Sequence, residues 1–361
     1  MRIAIGWTKL SGYMTACWRE LVNRPGVEFT AVLSAPRGLF DERLLDGIPH
    51  RLVDADDLYQ GRIRDEVCGH LLDFKPDLLI MAGWFVKSYK PILADPPGGD
   101  TRLVMTMDNP WRDTPRQRLG ARAVRRTLRP FDAIFCPGER AFQFALRLGM
   151  PPSRIFRGLY CADVDSLLPL HEQRIAKAGS WPRAFVYMGR YSPEKGIDTL
   201  LEAYARYREA VDDPWPLHAC GAGPLKDLWK DRPGVTDHGF VQPADQKNIW
   251  LDAAAMLFPS TYEPWGVAAL EAAASGLPIV CSHECGAAVE ILRPLDNGLY
   301  FQAGDPESLD RCLRWLHEHH DLLPAMGRRA QDSAAPFRAQ RWADRVLYMA
   351  EQIRSQPKRC S

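Results

Sequence analysis

No apolar run in this 361-residue sequence is long enough to cross a bilayer: the longest, LLIMAGWFV at 78–86, stays under ten residues, where a helical span takes about 20. An excess of one charge is also missing. Lys and Arg total 46 against 45 Asp and Glu, a formal net charge of +1, which speaks against bulk affinity for nucleic acid. The nine cysteines are odd in number and scattered, with no Cys-x-x-Cys pair. Reduced thiols in a cytosol fit that better than a disulfide frame. There is no low-complexity segment, no repeat of fixed period, no Walker A sequence and no complete dinucleotide fingerprint. The opening MRIAIGWTKL has too short an apolar stretch for an export signal and no cleavage site after it, so it reads as a first β-strand.

What is present is an ordinary globular composition on a chain long for one core, so two domains are expected. Short apolar runs at 2–6, 29–33, 78–82, 103–107 and 133–136 alternate with amphipathic stretches, the βαβ rhythm of a parallel sheet. A second series follows in AFVYMG, PLHAC, VTDHGFV, AAMLFP and LPIVCS. Between them lies PLHEQRIAKAGSWPR, 169–183, polar and strandless. The expected organisation is therefore α/β throughout, with one Rossmann-like domain over 1–168 and another over 180–339. A last helix, within 340–361, is expected to pack back on the first.

The segment YEPWGVAALEAAASGLP, 262–278, sets Glu263 and Glu271 among small and apolar residues. Carboxylates in such surroundings call for partners, because burying an ionised group alone costs several kcal/mol. Pro264 suits a first helical turn and Gly276 a helix end, which puts Glu263 at the helix mouth, Glu271 about two turns in, and roughly 12 Å between their backbones. The N–H groups near Gly266 and Val267 then form an anion site. A phosphorylated ligand with a hydroxyl-bearing ring at each end, such as a sugar nucleotide, would satisfy all three features. Upstream, YMGRYSPEKGID turns at Gly189 and sets Arg190 and Lys195 beside a helix start. Two fixed cations there suit a diphosphate leaving group, whose charge grows as the bond breaks. CGAGPLKDLW, 220–229, adds a further glycine-bearing turn.

These elements resemble those of the retaining GT-B glycosyltransferases of family four. EPWGVAALE matches their Glu-x7-Glu element and GRYSPEKGID their Gly-Arg…Glu-Lys-Gly element. GAGPL, GFV, ASGLPIVCS and NGLYFQAGDPESL follow in the expected order. The resemblance covers essentially the whole C-terminal half; in the N-terminal half it rests on SGY and RLGMPPSRI. It implies a GT-B architecture, two Rossmann-like α/β domains facing a cleft. The implied reaction moves a sugar from a nucleoside-diphosphate sugar, with retention and with no cofactor or metal, to a glycan, lipid-linked or small-molecule acceptor. Polysaccharide or glycoconjugate biosynthesis in the cytoplasm is the implied setting. Arg190 and Lys195 would grip the diphosphate, Glu271 the ribose and Glu263 the transferred sugar. Gly189, Gly223, Phe240, Val241, Gly266 and Val267 would line the donor site, and Gly12, in the loop after the first strand, would approach the phosphates. Asp108 stands where such enzymes commonly carry a histidine near the donor sugar; a carboxylate there accepts hydrogen bonds but does not donate them.

Other readings compete. A nucleotide-sugar epimerase or a non-catalytic sugar-nucleotide binder would share the donor elements. Asp163 and Asp165 imitate an Asp-x-Asp metal motif, and CSHEC, 281–285, offers thiols and an imidazole, but neither completes a ligand shell, so the expected metal set is none. Tyr13, Trp84 and Trp111, in expected loops after strands, suit stacking on an acceptor sugar or packing of the domain. Finally, Arg118, Arg122, Arg125 and Arg129 fall on one stripe of a helix ending at Pro130, with Leu119, Val124 and Leu128 off that stripe and free to pack inward. The stripe is a solvated face, or it meets an anionic acceptor or the anionic inner face of the cytoplasmic membrane.

Overall fold

The structure, a computed structural model, describes residues 1–35, 41–83, 85–95 and 100–359. They form two compact units, Met1–Cys161 with Ala339–Ser361, and Ala162–Arg338. Trp84 lies outside the described residues.

The first unit is built on a parallel sheet of seven described strands: β1 (Arg2–Lys9), β2 (Glu28–Ser34), β3 (His50–Val53), β4 (Leu78–Ala82), β5 (Arg102–Thr106), β6 (Ala133–Cys136) and β7 (Ile155–Arg157). Their order is β3-β2-β1-β4-β5-β6-β7. Every residue of β4 and β6 is buried, as expected for strands covered on both faces and read as unbroken apolar runs. Expected strands fall on β1, β2, β4, β5 and β6; β3 and β7 were missed, since HRLV and IFR each carry too few apolar residues to form a run.

The helix Ala339–Arg354 belongs to this unit. It lies against the helix Gly12–Val22, and its Trp342 indole N–H donates to the Leu159 carbonyl at 2.8 Å. Among the described residues no helix is long and apolar enough to cross a membrane.

The second unit carries a parallel sheet of six described strands: β8 (Phe185–Met188), β9 (Leu217–Cys220), β10 (Val235–Asp237), β11 (Ala255–Phe258), β12 (Ile279–Ser282) and β13 (Gly298–Phe301). The order is β10-β9-β8-β11-β12-β13. The five expected runs contain β8 to β12; β13 was not expected as a strand.

The division falls at 161/162 rather than after 168, because 169–183 is not a free linker. It holds the helix Leu170–Ala178, whose Arg174 is fully buried in the second unit. That guanidinium donates to the carbonyls of Trp250 (2.8 Å), Ser275 (3.1 Å) and Gly276 (3.1 Å). Loss of hydration lowers its pKa to about 9, so it stays charged at neutral pH. The negative ends of peptide dipoles at a helix C-terminus serve as its counter-charge.

Candidate functional site

In an open parallel sheet, ligands bind beyond the carboxyl ends of the strands where the strand order reverses. In the second unit that point lies between β8 and β11, since β9 and β10 run outward on one side and β12 and β13 on the other. The residues singled out from the sequence follow these strands.

After β8, the 3-10 turn Pro193–Lys195 comes before the helix Ile197–Ala210, so Lys195 lies ahead of the helix start. Gly196 joins them at φ +66°, and a Cβ there would stand 2.1 Å from the Pro259 carbonyl oxygen, which excludes other side chains. The Glu194 carbonyl accepts the N–H groups of Thr261 (2.9 Å) and Tyr262 (3.3 Å). The turn carrying Lys195 is thereby latched to the segment carrying Glu263.

Lys195 Nζ and Glu263 Oε2 form a direct ion pair, with side chains only 16% and 12% exposed. Arg190 differs. It is 67% exposed, 3.5 Å from Glu194, whose carboxyl is held below its usual range by the Ser192 hydroxyl, then by its own backbone N–H and the charges of Arg190 and Lys195. Glu194 stood unassigned in SPEK, although it is the residue that joins the two halves of this site.

The Gly221–Gly223 turn after β9 packs on the 189–191 segment. Tyr191 N–H donates to the Ala222 carbonyl at 2.8 Å, and a Cβ on Gly223, at φ +152°, would meet the Tyr191 oxygen at 2.3 Å. Tyr187, Tyr191 and Trp229 pack beneath. The Tyr191 hydroxyl donates to Asp237 at 2.7 Å, and the same carboxylate accepts Gly239 N–H at 2.9 Å. This fixes the turn leading to Phe240 and Val241, both half-buried.

The helix after β11 is Val267–Ala274, with Gly266 as its N-cap at φ +100°. Pro264 therefore precedes the helix, and Glu271 lies little more than one turn in. The rise-per-residue estimate between the glutamates does not apply, because the left-handed Gly266 breaks the helix before Glu263. No side chain caps this helix and its first turn holds no acid, so its leading N–H groups are open to an anion. The 283–287 segment braces the site: Gly286 N–H donates to the Glu263 carbonyl (3.0 Å) and Ala287 N–H to that of Trp265 (2.7 Å). The Cys285 thiol donates to the Trp265 carbonyl at 3.2 Å.

Glu271 is half-buried, and no hydrogen bond or ion pair to its carboxylate is seen among the described residues. Burial, and then the charge of Asp163, push its carboxyl up to about 7. Asp163 had been weighed only as part of a metal motif. Among the described residues no group of three or more His, Cys, Asp or Glu is placed to hold a metal ion.

In the first unit the corresponding reversal lies between β1 and β4. Gly12 and Tyr13 are the first residues of a helix rather than loop residues. Asp108, after β5, accepts a hydrogen bond from the Tyr160 hydroxyl at 3.0 Å, and Tyr13 meets Tyr160 edge to face at 5.7 Å. Tyr160 carried no signal in the sequence; only the fold, which brings the segments that follow β5 and β7 together on either side of β6, reveals it. Trp111 packs on Phe144 (5.4 Å) beside the core, under Arg147.

The helix Pro115–Thr127 buries none of its residues. Arg118, Arg122, Arg125 and Arg129 are all exposed, Arg118 paired with Asp113 at 2.8 Å. Val124 packs on the core and Leu128 is buried. Leu119, expected to pack inward, is 79% exposed. It sits opposite Leu128 on the helix, so a core that takes Leu128 leaves it outside.

Two parallel α/β sheets with these loops at their reversal points define the GT-B glycosyltransferase fold. Sucrose-phosphate synthase of Thermosynechococcus elongatus superposes at a TM-score of 0.76 and 15% identity, over 98% of this chain and 99% of that one. HepE of Anabaena, in complex with UDP and glucose, superposes at 0.74 and 15%, over 96% and 98%. Residues 172–333 match the family described as Glycosyl transferases group 1. D-inositol 3-phosphate glycosyltransferase of Streptomyces coelicolor is 32% identical over 167 residues, 42% of this chain and 36% of that protein. Matches to the curated relatives span only about a third to two-fifths of their length.

Proposed function

We propose that this protein is a retaining, metal-independent glycosyltransferase that moves a sugar from a nucleoside-diphosphate sugar to a glycan, lipid-linked or small-molecule acceptor. The observation that carries this reading is the convergence of Arg190, Lys195, Glu263 and an uncapped helix N-terminus on one strand-order reversal, with Glu271 one turn further along. The cations and N–H groups meet the diphosphate, and their hold strengthens as the bond to the anomeric carbon breaks. Glu263 accepts hydroxyls of the transferred sugar, and Glu271 those of the ribose. The acceptor oxygen bonds to the anomeric carbon on the face the diphosphate leaves, which retains configuration.

Uridine is the first base to test, because HepE is seen with UDP and glucose. Eight described cysteines are buried free thiols, which suits work in a reducing cytoplasm. Polysaccharide or glycoconjugate assembly is the setting this acceptor range fits.

The test is a thermal-shift screen against uridine, guanosine and adenosine diphosphate sugars, run in parallel with magnesium and with EDTA. A specific donor at 100 times its dissociation constant stabilises by about 2.7 kcal/mol. A shift from one base class, followed by retained anomeric configuration in the product, is expected. No shift from any of them overturns the reading, and a shift that EDTA abolishes overturns its metal independence.

A further inference from the structure

We propose that the helix Pro115–Thr127 is a docking face that seats the protein on an anionic lipid bilayer, with Leu119 entering the headgroup region among arginines.

The first ground is charge. Between 112 and 129 the sequence holds seven arginines and one aspartate, whereas the whole chain carries a net charge of only +1. Apart from Arg118, which is tied to Asp113, and Arg125, which donates to the Arg147 carbonyl at 2.8 Å, the arginines of this helix have no protein partner among the described residues. So dense a cationic surface repels itself and gains most from an anionic surface of similar extent.

The second ground is geometry. At 3.6 residues per turn, Gln117, Ala121, Val124 and Leu128 share the inner side; Ala121 and Val124 pack on the core, and Leu128 is buried. The outer side then carries Pro115, Leu119 and Ala123 as an apolar ridge, with Arg116 and Arg122 beside it and Arg126 next to Leu119, all exposed. Leu119, at 79%, is the most exposed large apolar side chain among the described residues.

A soluble polyanion would gain from the arginines alone and leave Leu119 in water. A bilayer takes both, because arginines reach phosphates while an apolar side chain enters the acyl boundary. The proposal stands apart from the sugar-transfer reading and is tested without any sugar nucleotide.

The experiment is co-sedimentation of the full chain with phosphatidylcholine vesicles containing phosphatidylglycerol, and with pure phosphatidylcholine vesicles, at low and high salt. Wild type is expected to bind the anionic vesicles alone and to be released by salt, since exposed charges are screened within about 10 Å at 0.1 M. Each arginine near the surface is worth roughly fivefold, about 1 kcal/mol, so Arg116→Gln/Arg122→Gln/Arg126→Gln is expected to lower partitioning by about 100-fold. Leu119→Ser, at unchanged charge, is expected to lower it roughly three- to tenfold. No binding to anionic vesicles at low salt overturns the proposal, as does wild-type binding by the triple variant. If Leu119→Ser binds like wild type, or if soluble polyphosphate strips the protein from vesicles at matched phosphate, the helix is a polyanion site and the bilayer seat is wrong. Should the triple variant fail to fold, the Leu119→Ser comparison and the salt series decide alone.

Discussion

Lys195 and Glu263, 68 residues apart, are each other's counter-ion across the reversal of the second sheet. If a sugar-nucleotide donor enters there, as proposed, it must part them or share both charges. With side chains mostly withdrawn from water, removing one partner strands the other. Lys195→Met is therefore expected to destabilise the protein by about 1–3 kcal/mol, and Lys195→Met/Glu263→Gln to recover much of that loss. A double-mutant cycle by denaturant unfolding measures the coupling; additive losses would show that the pair contributes nothing net.

Arg190 and Lys195 should separate by readout. Alanine at either is expected to cut turnover by roughly 10² or more on the donor the thermal-shift screen identifies. Arg190→Ala should leave stability nearly unchanged, because that side chain is 67% exposed and surface ion pairs contribute little. Near-normal turnover in both variants would remove the cations from the mechanism.

Glu271 carries a pH signature. Its carboxyl titrates at about 7 in the fold against 4.5 in its ordinary state. Below about 4.5 both folded and unfolded chains hold the proton. Above it the unfolded chain releases a proton the fold retains, so stability falls as pH rises to about 7, by up to about 2–3 kcal/mol. Glu271→Gln is expected to flatten that window in unfolding measured from pH 4 to 8. If the carboxylate accepts ribose hydroxyls, wild type should also gain nucleoside-diphosphate affinity from pH 6 to 8 relative to Glu271→Gln, by about tenfold. Calorimetry should find Glu263→Ala sparing the free nucleotide; the reverse pattern would mean the donor lies the other way round.

Asp108 and Tyr160 act as a pair in the first unit. If Asp108 positions a sugar hydroxyl, Asp108→Asn should keep much of the turnover and Asp108→Ala should lose more. Tyr160→Phe, which removes only the orienting hydroxyl, should fall between wild type and Asp108→Ala. Equal damage from Asn and Ala would assign the role to charge, and wild-type rates in all three would reduce the pair to loop support.

Arg174→Leu tests the buried guanidinium. Three carbonyls at the ends of two helices would lose their donor, at a cost of about 2–4 kcal/mol in unfolding. An unchanged unfolding midpoint would show that water replaces the side chain.

The parallel α/β character, the central strands, and the positions of Arg190, Lys195, Glu263 and Glu271 after strands were legible in the sequence. Buried parallel strands must be written as apolar runs, and the turns beyond them as glycine with a few charges. Edge strands such as β3 and β7 escape that rule, because half-covered strands need no apolar run. The polar segment 169–183 misled for a related reason: an arginine reads as solvent-facing until carbonyls from distant elements surround it. Composition could name the charges at the site but not their partners. That Lys195 faces Glu263, that Arg190 stays in water beside Glu194, that Tyr160 holds Asp108 and that Asp163 bears on Glu271 depend on which strand ends become neighbours. Leu119 is the same lesson on a helix: its neighbours in sequence permit either side, and only the core it lies against decides which leucine turns inward.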